Sequence, residues 1–170
     1  MNQMFLVVGA ITVLGLLTLP MNRILVHRDE ILISTEATTT ATAIAQEMLE
    51  EIIVRKYDRY YCATGQKASD PSVFTRYDSL GRNPGEIQDS VETFYDIDDF
   101  NGCKRTYFTP HLGNFIVTDS VYYVANGSPY AWTSVRTFLK RIDVKVYSPY
   151  LLSSDSTLTV SKIVSYRYKG

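Results

Sequence analysis

The first apolar block of the chain is unbroken by charge. From Met1 to Asn22 no side chain is charged, and Met4 to Leu19, MFLVVGAITVLGLLTL, is apolar apart from Thr12 and Thr18. With Pro20 and Met21 it makes roughly 18 residues, close to the ~20 that carry a helix across a bilayer. Between Arg23 and Tyr61 no Gly or Pro interrupts the sequence. Ala37, Ala41, Ile44, Ala45, Met48 and Ile52 recur three and four positions apart, which draws one apolar stripe along a helix. Glu36, Gln46, Glu47, Glu50 and Arg55 fall on the opposite face. A single helix over about 1–58 would run roughly 85 Å at about 1.5 Å per residue, too long for the core of so small a domain. Its first half must then be buried against other molecules or lipid, and its second half docked on a sheet. Pro20 marks a place for the helix to bend or locally unwind, because proline removes one backbone hydrogen bond. The competing reading is a plain membrane anchor followed by a separate amphipathic helix.

After Tyr61 the pattern changes. Turn formers punctuate the next stretch: Gly65, Pro71, Gly81, Pro84, Gly85 and Asn101-Gly102. Four runs dense in Val, Ile, Thr, Tyr and Phe follow, at Lys104–Thr109, Asn114–Ala125, Thr137–Ser148 and Thr157–Tyr168. In the third, Ile142, Val144 and Val146 alternate with Arg141, Asp143, Lys145 and Tyr147, the signature of a half-solvated antiparallel strand. Asn126-Gly127-Ser128-Pro129 and Ser148-Pro149 mark turns between strands. The pattern predicts an α+β fold, a long N-terminal helix with its apolar half protruding and its second half laid on a roughly four-stranded antiparallel sheet. It divides the chain into an apolar helix over 1–22, its amphipathic continuation over 23–61, a turn-rich region over 62–102 and a sheet over 103–170.

Composition changes this picture little. The chain has 170 residues and a formal net charge of −1, with no basic cluster, which argues against nucleic acid as a partner. Thirteen Tyr against one Trp and seven Phe suit either contact-forming surfaces or strands, where Tyr has high propensity. Charge around the first helix is more informative. A secretory signal peptide starts with Lys or Arg and ends in small residues, whereas this chain starts Met1, Asn2, Gln3, Met4. The first positive residues, Arg23, His27 and Arg28, would hold the remainder in the cytoplasm by the positive-inside rule. The export-like character of the remainder is reconciled with that rule if a short basic leader preceding Met1 was removed.

Cys62 and Cys103 flank the turn-rich stretch. A bridge between them would close a loop of about 40 residues and stabilise by roughly 3–4 kcal/mol. An even cysteine count beside an export-like N-terminus favours a cystine and an oxidising compartment, with two buried free thiols as the alternative. Asp96, Asp98, Asp99 and Asn101, followed by Gly102, form an oxygen-rich turn suited in principle to Ca²⁺. Phe100 breaks the ligand alternation of an EF-hand loop, so the stretch reads as a solvated turn with an Asx cap, and no metal is expected. Asn126-Gly127-Ser128 fits the glycosylation sequon and otherwise a hairpin turn. His27 and His111 have no nucleophile or base in their neighbourhood, and neither a haem motif nor a phosphate loop occurs, so no enzyme and no cofactor is predicted.

An apolar N-terminal helix with a central Gly and a terminal Leu-Pro, continuing into an amphipathic helix and an antiparallel sheet, resembles the type IV pilin and pseudopilin family. The motif is FLVVGAITVLGLLTLP, Phe5 to Pro20, and the run DIDDFNG, Asp96–Gly102, looks like a segment of minor pilins of the mannose-sensitive haemagglutinin type. The resemblance implies removal of a leader by a prepilin peptidase, residence in the inner membrane, and extraction by a pilus assembly machinery into a helical homopolymer on the cell surface. The assembly helix would comprise Phe5, Leu6, Val7, Val8, Gly9, Ala10, Val13, Leu14, Gly15, Leu16, Leu17 and Pro20. Most members also carry a Glu near the start, which pairs with a neighbouring subunit's N-terminal amine. Here no acidic residue precedes Asp29, and only Asn2 and Gln3 offer a polar contact. Three functions follow: a filament subunit, a pseudopilin or minor pilin of a secretion or adhesion system, and a membrane-anchored extracytoplasmic binding domain that never polymerises.

Overall fold

A computed structural model describes residues 2–60, 67–81 and 91–167, and leaves undescribed the side chains of Asn2, Leu19, Pro20, Pro129 and Tyr130. A single helix, α1 (Asn2–Ile53), runs unbroken through Pro20. It is followed by five strands: β1 (Lys104–Thr109), β2 (Gly113–Ala125), β3 (Ser128–Trp132), β4 (Leu139–Tyr147) and β5 (Thr157–Ser165). All pairings are antiparallel, in the order β1-β2-β4-β5, with β3 paired to β2. The class is therefore α+β, as the sequence pattern implies.

Two boundaries differ from expectation. The sheet has five strands rather than four, because Asn126-Gly127 is a two-residue hairpin loop leading into β3. Pro129 speaks against a strand at this point because it has no N–H to donate. β3 pairs with β2 alone, the kind of place where a missing donor is tolerated. The helix stops at Ile53 rather than near 58. The β-branched run Ile52-Ile53-Val54 weakens helix propensity there. Beyond it Lys56 bridges to Asp96, and the backbone N–H of Ile97 donates to the Lys56 carbonyl at 3.0 Å.

The middle of α1 is rich in threonine, a mediocre helix former, yet stays helical. The hydroxyls of Thr35, Thr38, Thr39 and Thr42 each donate to the carbonyl four residues back, at 2.7–2.9 Å. From Ala37 onward the predicted stripe is buried: Ala37, Ala41, Ala45, Met48 and Ile52 pack with Phe115, Val117 and Val121 of β2 and Ile142, Val144 and Val146 of β4. Three alanines let the helix lie close to the sheet, and the β4 alternation faces it as predicted.

A second, aromatic cluster sits beside the helix exit, where Tyr57, Phe74 and Tyr123 are buried with Ala68, flanked by Phe138 and Tyr166. The rings of Tyr57, Phe74, Phe138 and Tyr166 meet at centroid distances of 5.1–5.9 Å. Their hydroxyls are used: Tyr57 donates to the Thr137 carbonyl at 3.0 Å, Tyr123 to the Thr75 carbonyl at 2.8 Å, and Tyr166 accepts from the Ala68 N–H at 3.0 Å. Part of the tyrosine richness thus builds the interior rather than a contact surface.

Candidate functional site

Two features stand apart from ordinary core packing. The first is the projecting part of α1. Every large apolar side chain described between Met4 and Ile33 is at least 42% exposed, and burial begins only at Ser34. Among the described residues this is the one helix long and apolar enough to cross a membrane. Phe5, Leu6, Gly9, Ala10, Val13, Leu14 and Leu17 line a shallow apolar groove along one face. Gly9 has no heavy atom within 4 Å of where a Cβ would stand, and the same holds for Gly15. Val7, Val8 and Leu16 are exposed around the same segment, and Gln3 lies exposed at its start. The side chains of Asn2 and Pro20 lie outside the described residues.

The apolar exposure does not stop where the uncharged segment ends. Ile24, Leu25 and Val26, and again Ile31, Leu32 and Ile33, are exposed on either side of His27, Arg28, Asp29 and Glu30. Residues 2–33 span about 48 Å at ~1.5 Å per residue, against about 30 Å of hydrocarbon in a bilayer.

The second feature is a buried charge cluster at the helix exit. Lys140, at the start of β4, has the same parity as Ile142, Val144 and Val146, so its side chain enters the core, where it is 0% exposed. Its Nζ donates to the Tyr57 carbonyl at 2.8 Å and to Asp58 Oδ2 at 3.0 Å. It also lies 2.6 Å from Asp98 Oδ1, the closest of its contacts. The Tyr57 and Tyr123 rings flank the ammonium at 4.3 and 5.1 Å. Asp58 is held by two further donors, the N–H of Tyr60 to Oδ1 and the N–H of Thr75 to Oδ2, each at 3.0 Å. Asp98 Oδ2, by contrast, is buried without a hydrogen-bond partner.

The acidic run therefore differs from the solvated turn expected of it. Asp96, Asp98 and Asp99 are all buried. Asp96 Oδ1 accepts the N–H groups of Asp98 and Asp99, and Asp99 Oδ2 accepts those of Tyr95 and Asp96, which is Asx capping turned inward. Asn101 donates to the Leu80 carbonyl and accepts the Val121 N–H, each at 3.0 Å, tying the run to β2. Among the described residues no group of three or more His, Cys, Asp or Glu is arranged to hold a metal ion. Burial pushes the Asp96 carboxyl up to about 8, with Asp98 and Asp99 adding to the rise. Burial likewise lifts Asp98 to about 6 against the pull of Lys140.

A smaller polar group joins the last turn of α1 to the sheet. Arg105 Nη1 donates to Glu51 Oε2 at 3.0 Å. Asp119 is buried with its Oδ1 unpaired, and burial raises it to about 7 despite Arg105.

Of the remaining predicted positions, Asn126 is exposed in the β2–β3 loop and Cys103 is buried. Cys62 lies outside the described residues, and with it the Cys62–Cys103 bridge. The sequence reading missed the Lys140 cluster, although a lysine at an inward position of a clean alternation was its signal. No protein-family model, no curated protein and no solved structure matches this chain.

Proposed function

We propose that the chain is a pilin-like subunit of an extracellular filament, held in the inner membrane by α1 before assembly and then packed through α1 against other copies of itself. One observation carries the reading: the exposed apolar surface of α1 is longer than a bilayer can cover. A helix that only anchored the domain would leave Ile24–Val26 and Ile31–Ile33 in water, an uncovered apolar surface of the kind that marks an interaction site. A bundle of parallel helices covers both these positions and the groove at Gly9 and Ala10. In lipid the hydrophobic drive for association vanishes, so close packing at such small residues carries it. The role is structural, with no cofactor and no nucleic acid. A leader peptidase and an assembly machinery enter through the resemblance of Phe5–Pro20 to pilins. No acidic residue precedes Asp29, and Asn2 and Gln3 are the polar residues that offer a neutral contact early in the helix.

Negative-stain microscopy of material sheared from cells tests the reading. Fibres whose protein includes this chain in quantity support it. Fibres containing it only as a trace component point to a minor pilin, and membranes that hold all of it, with none in fibres, to a non-polymerising anchored domain.

A further inference from the structure

From the Lys140 cluster we infer that this chain carries an internal isopeptide cross-link, an amide between Nζ of Lys140 and the side-chain carboxyl of Asp98. Three observations converge. The first is contact: Nζ touches Asp98 Oδ1 at 2.6 Å, closer than its contacts with the Tyr57 carbonyl and Asp58. The second is the difference between the two carboxylates. Asp58 is saturated by the N–H groups of Tyr60 and Thr75 and by Lys140, whereas Asp98 Oδ2 is buried and takes no hydrogen bond. An unpaired buried carboxylate oxygen is costly, and converting the ion pair to a neutral amide removes two buried charges at once. The third is dryness. Lys140, Asp58 and Asp98 are at most 2% exposed, and Tyr57 and Tyr123 wall the nitrogen in, which disfavours hydrolysis of the product.

The step balances within the chain. Nζ attacks Cγ of Asp98, one Cγ–O bond breaks, and that oxygen leaves as water with the two protons that the ammonium sheds. An ammonium and a carboxylate become an amide and one water, and no oxidant or co-reactant is consumed. Asp58 Oδ2, 3.0 Å from the same nitrogen, is placed to take a proton from Nζ and pass it to the departing oxygen, ending unchanged. Condensation in water is opposed by mass action. Groups fixed in contact react with effective concentrations of about 10⁵ M or more, which overcomes that opposition. The bond would fasten the stretch around Asp98 to the start of β4, so that tension between them is borne by covalent bonds.

Mass spectrometry of the purified full chain, reduced and denatured, decides the matter. The expected result is a chain one water lighter than its sequence, and a branched peptide on digestion that joins Asp98 to Lys140. Asp98→Asn is expected to shed ammonia instead of water, which identifies position 98 as the acyl donor. In Asp58→Asn the uncondensed chain should accumulate. A wild-type chain at full sequence mass, or a lost water with no branched peptide, overturns the inference and leaves an ion pair only. The wild-type measurement decides even if either variant fails to fold.

Discussion

Lys140 at the start of β4 and Asp58 in the stretch that follows α1 are joined through Nζ and Oδ2 at 3.0 Å, with neither side chain reaching solvent. The pair fixes where the helix exit meets the sheet, because the same nitrogen also holds the Tyr57 carbonyl. Removing the lysine leaves Asp58 buried without the nitrogen that holds it and takes away the partner of Asp98, as ammonium or as amide nitrogen. Lys140→Met, similar in volume but neutral, is therefore expected to destabilise the domain by about 3–5 kcal/mol. Urea unfolding of the full chain in detergent measures it. A loss below about 1 kcal/mol would show that the cluster is not the fastening it is taken for.

The carboxyls of Asp96 and Asp119 are raised by burial, to about 8 and about 7. A carboxyl whose folded value lies above its unfolded one binds its proton more tightly when folded. Its contribution to stability is complete below about pH 4 and is lost as the pH rises through the folded value. The domain should accordingly melt lower at pH 8 than at pH 5, by an amount worth a few kcal/mol at most. Asp119→Asn should flatten part of that slope, since an amide in the same place stays neutral throughout. Melting curves across this range check the sign, and a domain more stable at pH 8 than at pH 5 would contradict it.

Ala41 is fully buried where α1 lies on the sheet. Enlarging it has no room to relax into, so Ala41→Leu is expected to cost about 1–3 kcal/mol through overpacking. Gln46→Leu, on the exposed face of the same helix, should stay within about 0.5 kcal/mol. The same unfolding measurement on both variants shows whether helix-on-sheet packing is as close as the three alanines indicate.

These residues also show how far the sequence could be read. The three-and-four spacing of Ala37, Ala41, Ala45, Met48 and Ile52 and the alternation of Ile142, Val144 and Val146 are local periodicities, and each gives its buried face directly. Lys140 obeys the same alternation, yet a lysine at an inward position looks like the end of a strand until its acids are known. Those acids, Asp58 and Asp98, come from distant stretches of chain that only tertiary contact brings to one nitrogen. The acidic run was visible by composition, but whether an Asx turn faces water or core depends on what lies beneath it. Beneath this one lies Phe100, whose ring packs edge-on against Phe94 at 4.9 Å.

The last prediction separates assembly from anchoring. Ile31 and Leu32 lie past Arg23, Arg28 and Asp29, beyond the roughly 20 residues that a bilayer of about 30 Å covers counted from Met4. They are also short of Ser34, where burial of α1 within its own chain begins. In the proposed filament a charge at Leu32 would therefore disturb neither membrane insertion nor domain folding, and only a neighbouring subunit would reject it. Leu32→Lys is expected to leave membrane insertion and the melting temperature unchanged while reducing the yield of sheared fibres at least tenfold. Leu14→Lys, within the bilayer-length segment, should cost about 2.5–3.5 kcal/mol in insertion and so fail earlier. Fibre yield and membrane fractionation on the two variants give the pattern. If Leu32→Lys assembled as well as the wild type, the stretch beyond the bilayer would not be a subunit contact, and the helix would be an anchor alone.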